Sequence, residues 1–427
     1  MNKRMIKEII LDQTEEKKRI LRSGRIIERE NLGLWKQFVE NELIKVTMGV
    51  RRSGKTVFTH LLLGGQDYAF ANFDDERLAF VGTEDLNYIL EALYETYGDF
   101  EYLLLDEVQN VQGWELFVNR LQRRGINVFV TGSNANLLSR ELSTHLTGRY
   151  IRMEIFPFSF REFLLWKGIN KYQSTTKARA MYKRYLEEYI MIGGFPEVVK
   201  SPELRNTYLP TLYSSIITRD IVARHNIRFV KTFREMAANI ISNFSQIITY
   251  NKLKNVHGLK SVHTAKNYMD YLSEAYIVQI VEKYSQKPKE IVNSPKKVYI
   301  VDSGLINSFS LSATENKGRL IENLFFIELL RKKSLDRDME IYYWKDYQDR
   351  EIDFVVRKGK KVEKLIQVTY ATGKDEIEKR EKKSLLKGSE LLGCKSLTVI
   401  TWDYEDEENT ENRKIVYIPL WKWLLEK

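Results

Sequence analysis

A single cysteine, Cys394, is all that the 427-residue chain contains. A disulfide framework within the chain and a cysteine-rich zinc site are thereby excluded. The apolar surroundings of Cys394 mark a buried, inert thiol rather than a nucleophile. No stretch approaches the ~20 consecutive apolar residues of a membrane-spanning helix. The opening Met1-Asn2-Lys3-Arg4-Met5-Ile6-Lys7 lacks the apolar core of a signal peptide, so a cytoplasmic protein without membrane association is expected. His257 and His263 have no carboxylate or thiol pattern around them that argues for metal. An N-K-x-D guanine motif is also missing. What is present is 43% hydrophobic and 30% charged residues, the composition of a globular protein, at a length that calls for two or three domains. A net charge of +10 is compatible with an anionic partner and does not identify one.

The richest stretch is Gly49-Val50-Arg51-Arg52-Ser53-Gly54-Lys55-Thr56, of the form G-x-x-x-x-G-K-[ST]. Leu43–Met48 before it reads as a buried strand, and Val57–Leu63 after it as a helix with apolar positions facing a sheet. Strand, glycine loop and helix start are the context that a phosphate-binding loop needs. The glycines let backbone N–H groups approach phosphate oxygens, and the helix N-terminus adds its positive end. Lys55 then reaches the β and γ phosphates, and the Thr56 hydroxyl is placed to ligate Mg²⁺. Tyr102-Leu103-Leu104-Leu105-Asp106-Glu107 is an apolar run ending in two carboxylates. Asp106 can join the Mg²⁺ shell, and Glu107 can polarise an attacking water as general base. A third run, Ile126–Asn134, ends in Ser133 and Asn134, where a sensor of the γ phosphate would sit. The three together point to binding of ATP or GTP. A catalytic arginine is the missing component, with Arg149 and then Arg140 as candidates, each equally readable as a surface arginine.

In chain order, residues 1–42 read as two helices laid over the nucleotide domain, with Trp35 as a packing anchor. Residues 43–155 alternate strands and helices, which predicts an α/β fold with a mostly parallel sheet. Ligands of such sheets sit at the carboxyl ends of the strands, where Asp74, Asp106 and Ser133 fall. Residues 156–228 read as a helical lid segment. In it Gly193-Gly194-Phe195-Pro196-Glu197 is either a structural hinge or a lid contact to nucleotide. Residues 229–297 read as a winged helix–turn–helix, with Ser261–Leu272 as the helix that could enter a major groove. Nine lysines stand against four acidic residues over positions 251–300. That balance suits DNA, although such modules also serve only for packing. Residues 298–427 place Glu322 on a helix and Asp353 on a strand, the layout of a metal-dependent nuclease core. The third strand, however, carries Gln367 and Thr369 where a carboxylate and a lysine are needed. A nuclease-like scaffold without competent chemistry is expected.

Taken in order, Gly49–Thr56, Phe73–Leu78, Leu105–Gln109, Thr131–Ser133, Leu146–Arg149, Pro157–Phe163 and Gly193–Pro196 resemble the landmarks of a family of prokaryotic AAA-type ATPases. That family carries a C-terminal domain of the DUF4143 type with a restriction-endonuclease-like core, and Arg350–Phe354 matches as well. The resemblance implies an AAA+ core, a winged helix and a PD-(D/E)xK nuclease-like domain. With the missing guanine motif it favours ATP over GTP, beside the Mg²⁺ that Thr56 and Asp106 call for. The basic winged helix and the nuclease-like domain make DNA the expected partner, with a second copy or another protein as the alternative.

Overall fold

The computed structural model describes residues 2–22, 26–133, 148–309, 316–377, 379–410 and 413–426. They fall into two compact units, Met1–Pro157 with Glu274–Tyr276, and Phe158–Ser273 with Ile277–Lys427.

The first unit is built on five short strands: β1 (Ile44–Met48), β2 (Tyr68–Asn72), β3 (Tyr102–Asp106), β4 (Asn127–Gly132) and β5 (Tyr150–Glu154). They pair entirely in parallel, in the order β2-β3-β4-β1-β5. Every residue of β1 and β3 is buried, as parallel strands covered on both faces require. Around them lie α1 (Lys3–Arg22), α2 (Lys55–Leu62), α3 (Leu86–Tyr97) and α4 (Trp114–Arg123). The inward face of α4 is Trp114, Phe117, Val118 and Leu121, a helical spacing legible in the chain. Trp35 packs in the core with Phe58, Phe70, Leu104 and Phe129, as a packing anchor should. Helix α1 covers the exposed edge of the sheet at β2. Its Gln13 side chain exchanges two 2.9 Å bonds with the Asn72 backbone, in the manner of a sixth strand. Strand β5 is not legible in the sequence, because as an edge strand it leaves Tyr150, Ile151 and Arg152 half-buried.

The second unit opens with helices, including α5 (Thr176–Ile192) and a π-helical stretch, Ile216–Ala223, that periodicity does not announce. Then follow α6 (Val230–Ser242), β6 (Gln246–Ile248), α7 (Tyr250–Val256), α8 (Val262–Glu274), β7 (Val278–Lys283) and β8 (Lys296–Ile300). Strands β6 and β7 flank β8 in antiparallel pairing. Next come α9 (Lys317–Leu335), β9 (Met339–Lys345), β10 (Glu351–Lys358), β11 (Lys361–Val368), α10 (Lys379–Leu392), β12 (Ser396–Thr401), β13 (Asp406–Thr410) and β14 (Arg413–Pro419). All nine strands form one mixed sheet, in the order β13-β14-β12-β11-β10-β9-β7-β8-β6. The join is β7 against β9, so the strands of 229–297 and 298–427 share a sheet and a core. Cys394 lies buried in that core, its thiol pushed up by burial.

Candidate active site

Strand β1 ends at Met48 and hands the chain to the glycine loop. A Cβ on Gly49 would stand 1.9 Å from the Ile155 carbonyl oxygen, so only glycine lets the loop pass. Gly54, at φ +92°, caps the start of α2. Buried Arg29 straps the loop from outside, donating to the Ser53 carbonyl at 3.0 Å and to the Phe156 carbonyl. Helix α2 then points Lys55 and Thr56 inward. The Lys55 ammonium donates to the Val50 carbonyl at 3.2 Å and stands 3.5 Å from a Glu107 oxygen. The Thr56 hydroxyl lies 2.9 and 3.0 Å from the two Asp106 carboxylate oxygens.

Strand β4 runs between β1 and β3, and its Thr131 ties the site together. Its hydroxyl donates to Asp106 and accepts the Glu107 N–H at 3.0 Å. Glu107 holds a left-handed backbone, φ +49°, which is uncommon outside glycine and recurs where a side chain must be aimed. Its carboxylate accepts from Gln109 and, at 3.2 Å, from the Ser133 hydroxyl. Arg51 pairs with Asp74 at 3.0 Å.

The two carboxylates are driven apart electrostatically. Burial, and then the neighbouring charge of Glu107, push Asp106 up to about 6. Burial would raise Glu107 as well. The Lys55 charge, the Gln109 bond, Arg51 and Ser133 outweigh it and hold Glu107 below the ordinary carboxylate range. Glu107 is thus ionised at neutral pH, while Asp106 gains most from an added cation. A hydroxyl and a carboxylate facing one point are oxygen donors of the kind that Mg²⁺ takes. The buried Ser53 hydroxyl has no hydrogen-bond partner among the described residues, and a phosphate oxygen in the loop would supply one. The residues present fit a nucleotide with its magnesium.

Gly49–Thr56, Asp106, Glu107 and Ser133 therefore converge. Arg149 does not join them within the chain. It precedes β5, and its carbonyl bonds Ile44 at the start of β1, whereas the loop follows the other end of that strand. About 13 Å of strand separates the two, and the Arg149 guanidinium donates to Asn119 at 2.7 Å. Asn134 and Arg140 lie outside the described residues. Thr131, Gln109 and Arg29 are the partners that sequence reasoning missed. Thr131 and Gln109 stood only inside family landmarks, with no role assigned to them.

A second cluster lies in the other unit. Glu322 on α9 and Asp353 on β10 do come together, but around Lys297 of β8. Its ammonium stands 2.8 Å from an oxygen of each and 2.8 Å from Glu351. A cavity of about 390 Å³ opens beside them, lined also by Gln367, Arg319, Lys345 and Arg380. Thr369 is not part of that lining. Among the described residues no set of three or more histidine, cysteine or acidic side chains is arranged to hold a metal ion.

Comparison with known proteins agrees with the first site. Residues 41–164 match an AAA domain, residues 183–316 a domain of unknown function (DUF8612), and residues 317–423 another (DUF4143). An uncharacterised protein of Methanocaldococcus jannaschii is 35% identical, across 99% of this chain and 95% of its own. One of Haemophilus influenzae is 31% identical, across 89% of this chain and 99% of its own. Among solved structures, a Walker-type ATPase of Pyrococcus abyssi covers 66% of this chain and 96% of its own, at 14% identity and a TM-score of 0.44. That likeness is too loose to carry an argument.

Proposed function

The chain belongs to a family of prokaryotic AAA-type P-loop ATPases with a DUF4143 C-terminal domain, and from that premise we propose that it is a Mg²⁺-dependent ATPase whose turnover is coupled to DNA. The observation that carries the ATPase reading is the convergence of Lys55, Thr56, Asp106, Glu107 and Ser133 through Thr131. Lys55 would exchange its Glu107 and Val50 contacts for the β and γ phosphates. Thr56 and Asp106 would hold Mg²⁺, which neutralises phosphate charge when bound. Glu107 would orient water for attack on the γ phosphorus and accept its proton as the bond to the β-phosphate oxygen breaks. Ser133 or Asn134 would sense the γ phosphate. Arg149 has a role only on a neighbouring subunit, and unchanged turnover in Arg149→Ala would remove it from the mechanism.

The DNA reading rests on one face of the second unit. Helix α8 buries Ala265, Tyr268, Met269 and Leu272 and exposes Val262, His263 and Lys266. Exposed Lys252 and Lys260 lie just before it. The helix order α6-α7-α8 with three antiparallel strands supports a winged helix–turn–helix. Part of the basic excess is not available, because Lys296 and Lys297 are buried against acidic partners. Duplex DNA is expected to stimulate ATP turnover, more at low salt than at high, and Lys252→Ala with Lys266→Ala should weaken that response. Turnover indifferent to DNA at both salts would replace DNA by a protein as the partner.

A further inference from the structure

The second unit gathers three carboxylates from two elements, yet among the described residues it offers no metal-ready cluster. Glu322 comes from α9, Glu351 and Asp353 from β10, and each places an oxygen 2.8 Å from the Lys297 ammonium. An ammonium has three N–H donors, and here three carboxylates take them. Lys297 is only 3% exposed. Burial alone would favour loss of its proton. The charges of Asp353 and Glu322 outweigh that and hold it well above its ordinary range. Its protonated form is therefore an integral part of the core.

The surroundings are those of a divalent cation. The Tyr299 hydroxyl donates to Glu322 at 2.7 Å and the Val368 N–H to Asp353 at 2.9 Å, so both carboxylates are oriented by a second set of bonds. Gln367 lines the same cavity, 8% exposed, and its amide oxygen has no hydrogen-bond partner among the described residues. An amide oxygen is an accepted neutral ligand of hard cations. Such ions bind oxygens at about 2.3–2.6 Å for Ca²⁺, a few tenths of an ångström inside the distances Lys297 now keeps.

We infer that Lys297 is the resident cation of the second unit: its ammonium occupies a hard-cation position among Glu322, Glu351 and Asp353, so the native chain takes no divalent metal there. The inference rests on this geometry and is independent of the proposed coupling to DNA. It assigns the unit a site whose centre is filled by a side-chain cation, one that metal concentration does not switch.

The test uses the full chain in an Asp106→Asn background, which removes the carboxylate proposed for the P-loop metal. Bound Mn²⁺ is counted by electron paramagnetic resonance, and thermal unfolding is followed with and without Mn²⁺ or Ca²⁺. With Lys297 present, no Mn²⁺ should bind at the cluster and Tm should not respond to either ion. Lys297→Met keeps the stem and deletes the charge. It should unfold at a lower temperature, bind one Mn²⁺, and regain most of the lost Tm when metal is added. Adding Asp353→Asn to Lys297→Met should abolish that regain. Mn²⁺ binding with Lys297 in place that is lost on Asp353→Asn would overturn the inference. So would a Lys297→Met chain that stays unfolded, or unresponsive, at every metal concentration.

Discussion

His60 faces the sheet from α2, its Nδ1 2.8 Å from the Tyr68 hydroxyl and its ring edge-on to Phe70. Its Nε2 is buried without a partner among the described residues, so a second ring proton finds no acceptor there. Burial, helped by the nearby Lys17 charge, pulls the ring down to about 4 from an ordinary 6.5. The unfolded chain therefore takes up a proton before the folded one does. The stability from neutral His60 is complete above pH 6.5 and is lost as pH falls towards 4. The loss is about 3 kcal/mol over that window. Denaturant unfolding at several pH values should show this slope, and His60→Phe should flatten it. A slope unchanged by the substitution would assign the acid sensitivity to other groups. Legibility at this scale followed locality. Gly49–Thr56 declare themselves because neighbours in sequence build the loop. Thr131 meets Asp106 only because β4 inserts between β1 and β3, and no residue pattern states that order.

Among the elements, the buried parallel strands and the helices with apolar faces could be read from the chain, since period and composition agree there. The edges could not. Strand β13, Asp406-Glu407-Glu408-Asn409-Thr410, is polar throughout and holds its place only by pairing with β14. The turn after α5 was open between hinge and nucleotide contact, and its packing within the second unit accounts for both glycines. A Cβ on Gly193 would meet the Asp302 carboxylate at 2.1 Å, and one on Gly194 the Phe158 carbonyl oxygen at 2.2 Å. That carbonyl already accepts the Tyr189 hydroxyl, while the Gly194 N–H donates to Asp302 at 2.6 Å. Gly194→Ala should therefore cost about 1–3 kcal/mol through backbone displacement, read as a lowered Tm. An alanine chain that melts with the native one would show that the turn yields without strain.

At the scale of the molecule, five sequence segments resolve into two compact units. Long-range pairing decides this, since β7 joins β9 across 55 residues of chain, about which local pattern says nothing. The departure from the nuclease pattern at Gln367 and Thr369 was legible, and the expectation of a scaffold without that chemistry rests on it. That Lys297 of another strand fills the centre was not, because a lysine beside a strand normally reads as surface charge. The first unit carries the loop at which ATP is hydrolysed, with Glu107 proposed to act on water. Turnover of Mg²⁺-ATP by the native chain and by Glu107→Gln, with nucleotide affinity measured on both, tests it directly. Glu107→Gln should bind nucleotide at least as well as the native chain, having lost the carboxylate that competes for Lys55. Its turnover should fall by about 10²-fold or more. Equal turnover in the two proteins would contradict it.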